Sequence, residues 1–319
     1  MHAVGITLGE PCGIGPELVV RCFSRETPGG GAVRVYGSPA LLFKTGQDLG
    51  IEFFASKLPP HVELVPCGPD PSRGFFVFDD LSARAEAAVA AIERAHRDAV
   101  SGKISALVTA PIDKAVVRTK LPGFAGHTGY LARLANVPRT LMLMDNGEFR
   151  ILLLTDHIPL RDVPGALTPG HVEDSLRLAL SEFRDRFGIP DPKVALLGLN
   201  PHAGEIVQNA EEDAVFRPVI ALFRKEGVRI EGPFPADSFF SSARGAGWDL
   251  VVSSYHDQGL IAAKYAGLHQ VVNITLGLPY LRVSPGHGTA YDLVGRGTAD
   301  LRSFERALRI AFSGSIRAL

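Results

Sequence analysis

Cysteine is scarce in this chain: the 319 residues hold three, Cys12, Cys22 and Cys67, with no CxxC pair among them. An odd, unpaired set excludes a disulfide framework or a zinc ribbon and fits reduced thiols in a cytoplasmic protein. A charge excess of either sign is missing too, because 33 Lys and Arg nearly cancel 34 Asp and Glu, leaving a formal net charge of -1. Without a basic stripe the electrostatic footprint of a nucleic-acid binder is absent, and a small molecule is the expected partner. No apolar run approaches the ~18 residues of a membrane span, and the residues after Met1 are not expected to act as a signal peptide. What is present is ordinary for a globular protein with a sizeable core: 46% hydrophobic and 21% charged residues.

A chain of this length is expected to form two domains or one large α/β domain, which makes a cleft available between its halves. Short apolar runs at Val4–Leu8, Val33–Tyr36, Ala106–Thr109, Ile151–Thr155, Val194–Leu199, Leu250–Ser253 and Val271–Thr275 end in polar, Gly- or Pro-bearing loops. Helical patterns follow them, and this rhythm predicts an α/β protein with a largely parallel sheet buried on both faces. Leu81–Val100 reads as an alanine-rich helix. Thr168 and Pro169 read as the cap and first turn of a helix over His171–Phe187. Further helices are expected over Glu211–Glu226 and Ser303–Ser313, and Gly29-Gly30-Gly31 reads as a loop tip.

Three histidines share one address, directly after an apolar run: His157 in ILLLTDH, His202 in VALLGLNPH and His256 in LVVSSYH. The carboxyl ends of parallel strands point to one edge, so three imidazoles can converge there as ligands of a catalytic divalent metal. Taken singly, each histidine reads more readily as a cap or surface residue, and it is the three matching addresses together that point to a metal. ITLGEPCGIGPEL joins a strand, a Gly-rich turn and a helix start, an arrangement that can present N–H groups to an anion, yet it lacks GxGxxG. Gly126-His127-Thr128 opens a helix with an imidazole, a hydroxyl and backbone donors. Lys264, Asn273 and Arg282 lie near Gly-rich turns, where the cations would suit a phosphate or carboxylate and a desolvated Lys would suit proton transfer.

Read together, GEPCGIGPE, VTAPIDK, GHT, HIPLRDV, GLNPHAGE, GPFPADS, YHDQGL, KYAG and VNITLGLPYLR, then HGTAYDLVGRGTAD, resemble in kind and order the motif set of the 4-hydroxythreonine-4-phosphate dehydrogenase family. The resemblance implies that His157, His202 and His256 bind a divalent metal (Zn, Mg or Co) shared across a homodimer interface. It implies that His127, Thr128, Lys264, Asn273 and Arg282 contact a phosphorylated substrate, with Lys264 as proton donor or electrostatic partner of the reacting oxygen. Asp237 and Asp257 are candidates to orient ligand imidazoles. HGTAYDLVGRGTAD is also similar to the cofactor loop of isocitrate and isopropylmalate dehydrogenases, which implies NAD or NADP with His287, Gly288, Thr289 and Asp292 at the adenosine. The implied fold is their two-domain α/β/α architecture, with mostly parallel sheets and a cleft between the domains. Residues 1–125 with 266–319 would form the cofactor domain, and 126–265 the metal and dimerisation domain.

The implied reaction is oxidation and decarboxylation of 4-phosphohydroxy-L-threonine to 3-amino-2-oxopropyl phosphate, in vitamin B6 biosynthesis. Departures from the family pattern bear on the substrate. Gly129 stands where Glu usually follows GHT, Pro285-Gly286 replaces an aliphatic residue and Asp, and the loop after Gly204-Glu205 lacks the usual glycines. Oxidation of D-threonate or D-erythronate 4-phosphate is the alternative that keeps the phosphate contacts, and an aromatic cis-dihydrodiol carboxylate the one that does not need them. More distant readings are a metal-dependent hydrolase, which would not need the HGTAYD segment, and a phosphotransacetylase-like acyltransferase, which would need no metal.

Overall fold

The computed structural model of the chain describes residues 3–24, 30–51, 58–69, 79–206, 208, 210–242 and 247–316. Its strands in chain order are β1 (Ala3–Thr7), β2 (Val33–Gly37), β3 (Val62–Pro66), β4 (Ile104–Thr109), β5 (Leu141–Asp145), β6 (Arg150–Leu153), β7 (Val194–Leu197), β8 (Ile230–Phe234), β9 (Leu250–Ser253), β10 (Val272–Leu276) and β11 (Leu281–Pro285). Two compact units divide the chain: Met1–Thr140 with Leu278–Gly314, and Leu141–Gly277 with Ser315–Leu319. By packing, the breaks between the units fall after residues 140 and 277. Tyr130 and Leu131, from the His127–Leu134 helix, belong to the core formed by Ala88, Ile92 and Leu107.

In the first unit the strands run β3-β2-β1-β4-β11, every pair parallel. Parallel strands need crossovers, and the Leu81–Val100 helix supplies one by laying a face of Ala88, Ala91, Ile92, Ala95 and Ala99 in the same core as Tyr36 and Leu107. Asp80 caps that helix, accepting the Ala83 N–H at 2.9 Å. In the second unit the order is β10-β5-β6-β9-β7-β8, antiparallel where β5 meets β10 and β6, parallel elsewhere. The Pro169–Asp185 helix starts as expected, with the Thr168 hydroxyl accepting from His171 N at 3.2 Å and proline in the first turn.

All seven expected runs are strands, and the α/β class with mostly parallel pairing holds. Four strands were not anticipated: β3, β5, β8 and β11. β3 alternates buried and exposed positions, β8 is interrupted by Gly232-Pro233, and β11 carries the charged Arg282, so these three do not read as buried apolar runs, whereas β5 is a short, fully buried apolar run that was passed over. The expected helix over Glu211–Glu226 opens with one π-helical turn, Glu212–Phe216, before the Arg217–Lys225 α-helix. Gly29 lies outside the described residues, while Gly30 and Gly31 belong to no helix or strand. Among the described residues no helix is long and apolar enough to cross a membrane.

Candidate active site

The first unit gathers three of the expected substrate residues into one cradle. Arg282 points from β11 and is only 3% exposed. Its Nε and Nη2 donate to the Thr109 hydroxyl at the end of β4 (3.1 and 2.6 Å), and its Nη1 donates to the Thr128 hydroxyl at 3.5 Å. Burial pulls the guanidinium down to about 10, against a raising influence of Tyr280, which leaves it charged at neutral pH. Beside it His127 begins an eight-residue helix, whose N-terminal N–H groups add partial positive charge. Gly126 makes that approach with φ 142°, a region closed to most side chains, and a Cβ there would meet Lys114 Cε at 3.4 Å. His127 is buried with Nε2 lacking a hydrogen-bond partner, and desolvation first, then Arg282 and Lys114, push its pKa well down. A neutral imidazole, a buried guanidinium, an ammonium and a helix start amount to an anion site. Thr109 and Lys114 were not singled out from the sequence, although Lys114 closes the VTAPIDK motif.

His96 and His287 share the fate of His127: burial lowers the pKa of each. Unfolded imidazoles protonate near pH 6.5, whereas these folded ones resist, so below that pH the unfolded state binds more protons. Stability is therefore complete above about pH 6.5 and is lost as the pH falls below it. Thermal unfolding followed across pH 5 to 8 should show the midpoint dropping on the acid side, and a flat midpoint from pH 7 to 5 would contradict the assignment.

The expected cofactor residues also lie in the first unit. His287 places Nδ1 3.3 Å from Gly288 O and leaves Nε2 buried without a partner, an orphan that a bound molecule can satisfy. Gly288 and Asp292 are exposed, and Thr289 O accepts the Ile14 N–H at 3.0 Å. Glu17, which is 1% exposed, accepts from Gly295 N at 3.0 Å and Ala299 N at 3.4 Å, pinning the far end of this loop to the GEPCGIGPE segment. A cavity of about 290 Å³ opens between them, lined by Cys12, Gly13, Leu41, Leu49, Val294 and Gly295 among others. Gly9 is required where that segment starts, since φ is 72° and a Cβ would stand 2.3 Å from Pro111 O.

In the second unit β6, β9 and β7 are consecutive parallel neighbours, and they are followed by His157, His256 and His202. The structure brings two of the three together: the rings of His157 and His256 stand 5.5 Å apart, centroid to centroid. Asp257 Oδ1 lies 2.7 Å from His256 Nδ1. A carboxylate only accepts, so Nδ1 carries the proton in this bond, which leaves Nε2 as the ring atom that could ligate. His202 does not join them. Among the described residues no group of three His, Cys, Asp or Glu side chains is placed to hold a metal. The reason is local, because His202 and Ala203 both adopt left-handed conformations (φ 54° and 52°) in a tight turn and His202 is exposed. Two adjacent imidazoles can contribute to a divalent-cation site, and among the described residues no third ligand joins them.

The turn that aims His202 rests on a residue the sequence did not single out. Glu212, fully buried in the π turn, accepts from Leu199 N (2.7 Å), Asn200 N (2.8 Å) and Asn200 Nδ2 (2.9 Å). Glu212→Ala strands these donors, so roughly 3 kcal/mol or more of stability should be lost in urea unfolding. An unchanged midpoint would show that water replaces the carboxylate.

Lys264 is exposed on the His256–Gly267 helix, so the single chain does not supply the desolvation that would prime it for proton transfer. Asn273, on β10, keeps a buried Oδ1 without a partner. Asp237 is exposed in the first turn of the Ala236–Ser242 helix, and of the two aspartates it is Asp257 that is seen to bond one of the three histidines, His256.

Residues 74–311 match the family model described as "Pyridoxal phosphate biosynthetic protein PdxA". A 4-hydroxythreonine-4-phosphate dehydrogenase of Thioalkalivibrio sulfidiphilus is 37% identical over 320 residues, covering 97% of this chain and 95% of its own. The crystal structure of 4-hydroxythreonine-4-phosphate dehydrogenase from Klebsiella pneumoniae superposes with a TM-score of 0.84 at 30% identity, over 98% of this chain and 99% of the other. A β-decarboxylating dehydrogenase from Thermococcus kodakarensis shares the fold at TM-score 0.50 and 16% identity, over 99% of this chain and 84% of its own.

Proposed function

The chain belongs to the PdxA family of pyridoxal phosphate biosynthetic proteins, and from that membership we propose that it oxidises 4-phosphohydroxy-L-threonine with NAD(P)+ and releases CO2, leaving 3-amino-2-oxopropyl phosphate. The observation that carries the reading is the cradle of buried Arg282, Thr109, Thr128 and neutral His127 at a helix N-terminus, which suits a substrate phosphate.

Arg282 and Thr128 grip the phosphate, and His127 Nε2 is the buried ring atom left to meet it. The grip orients the rest of the substrate, converting binding energy into alignment of the reacting carbon. When bound, NAD(P)+ supplies the hydride acceptor, and a divalent cation held by His157 and His256, with His202 completing the set, supplies a Lewis acid. Asp257 holds His256 in the tautomer that ligation needs. Oxidation removes a hydride from the carbinol carbon and a proton from its hydroxyl, which gives a β-keto acid. The bond to the carboxylate carbon then breaks, CO2 leaves, and a proton returns to the carbon it left. Lys264 is the proposed proton donor and partner of the charge on oxygen, and Asn273 a further substrate contact.

A second copy of this chain is the proposed cover for the histidine-bearing face. Ile206, Ile261 and Tyr265 are 74%, 69% and 90% exposed and neighbour His202, His256 and Lys264 in sequence, as the exposed Ile158 and Leu160 neighbour His157. Such a homodimer would desolvate Lys264 and complete the metal ligands. Tyr265→Asp should shift the sedimenting species from dimer to monomer; a monomeric wild type would remove this reading. The cytoplasm is the setting proposed for these reduced thiols and this cofactor chemistry.

One observation favours a second substrate. Gly129 has nothing within 4 Å of where a Cβ would stand, so the space of the family's usual Glu is open. D-threonate or D-erythronate 4-phosphate has no amino group for that carboxylate to meet. Following NADH or NADPH formation by absorbance with each phosphorylated acid tests both. Reduction with 4-phosphohydroxy-L-threonine supports the first reading, turnover of only the sugar acids moves the substrate, and no reduction with any of them removes the phosphorylated-substrate assignment.

A further inference from the structure

Arg84 belongs to none of the recognised motifs, yet its side chain is 1% exposed and among the largest fully buried in the chain. Its Nε donates to Glu10 Oε1 at 2.7 Å, and Glu10 is itself fully buried. Its Nη2 donates to the Tyr291 hydroxyl at 2.8 Å, and that hydroxyl donates onward to Asp113 Oδ2 at 2.7 Å. The direction of this chain is unambiguous, since guanidinium only donates and carboxylate only accepts. The Tyr291 ring also lies beneath the guanidinium carbon, 5.6 Å from it. Glu10 Oε1 accepts a second bond from Cys12 N at 3.2 Å, and Ile14 N reaches Thr289 O at 3.0 Å. Residues 9–14 and 287–295 are therefore cross-tied through one buried cation. Those same two segments supply Cys12, Gly13, Val294 and Gly295 to the 290 Å³ cavity.

Stability alone does not explain such an arrangement. A buried ion pair is typically no better than an apolar pair of similar volume, whereas it holds a defined geometry. Walls fixed before binding reduce the ordering cost that the ligand must overcome. We propose that Arg84 is a positioning residue for the dinucleotide, holding residues 9–14 and 287–295 through Glu10 and Tyr291 as the preformed walls of its cavity. The inference rests on the NAD(P) reading above.

Tyr291→Phe is the decisive variant, because it removes the bridging hydroxyl while keeping the ring and the buried ion pair. Titration of NADH or NADPH fluorescence should show the dissociation constant rising about tenfold, the effect of losing a hydrogen bond to a charged group. The KM for NAD(P)+ should rise in parallel, with the KM for the phosphorylated acid held within about twofold. Arg84→Lys keeps the charge on Glu10 but reaches one partner instead of two, and should weaken dinucleotide binding similarly. Because both act through one link, the double variant should be no weaker than the worse single one. A lowered melting temperature with unchanged dinucleotide affinity in Tyr291→Phe would reduce the network to a structural role and overturn the proposal, as would strictly additive effects. Should Arg84→Lys fail to fold, Tyr291→Phe decides alone. Wild-type protein that binds neither NADH nor NADPH overturns the cofactor reading and this proposal with it, an outcome distinct from wild-type binding that the variants leave unchanged.

Discussion

Arg282→Lys should lower kcat/KM for the phosphorylated substrate by about 10²- to 10³-fold, the largest effect expected of any single substitution here. Arg282 is held in place by two donations to Thr109, and its remaining face reaches Thr128 at the helix start. Lysine offers a point charge without the planar fork, so it cannot bond Thr109 and a phosphate in the same geometry. Losing one or two charge-assisted bonds, each worth about 1.5–3 kcal/mol, accounts for the range. The loss should appear mainly in KM if the phosphate is held equally in ground and transition states, and in kcat as well if the grip aligns the reacting carbon. Steady-state kinetics, with thermal unfolding to confirm the fold, give the answer. A kcat/KM within about threefold of wild type would remove Arg282 from the substrate site.

Removing divalent metal should abolish oxidation, and Asp257→Asn should weaken metal binding by about 10- to 100-fold. The proposed ligands His157 and His256 stand with their rings 5.5 Å apart. The bond from His256 Nδ1 to Asp257 fixes which nitrogen is free to ligate. Asparagine can face the ring with either its carbonyl or its amide, so that tautomer is no longer enforced, and a neutral partner makes the imidazole a weaker base. Calorimetric titration of zinc or cobalt into chelator-stripped protein measures the affinity directly, without relying on turnover. Full NAD(P)+ reduction by protein whose metal content is far below stoichiometric would rule out the metal-assisted reading.

The sequence by itself determined the class of fold and the addresses of the histidines. Seven strands were legible because a parallel strand buried on both faces must be a continuous apolar run, and the Leu81–Val100 helix because its alanines recur on one face. The anion cradle was half legible: His127, Thr128 and Arg282 carry visible chemistry, whereas Thr109 reads as the end of a strand until β11 is laid beside β4. β11 itself was hidden by the very charge it buries.

Only the tertiary structure decided the rest. Strand order made neighbours of β6, β9 and β7, and a left-handed turn held by Glu212 kept His202 apart from the other two imidazoles. Arg84 was not singled out from the sequence, and 207 residues separate it from Tyr291. Sequence periodicity reports which face of an element is buried, because burial is a property of each element alone. Which buried polar groups meet is a property of pairs of elements, and no local pattern encodes it. That is why the pairing of His157 with His256 and the charged network depended on topology and packing, while most of the strands and helices that carry them were already written in the residues.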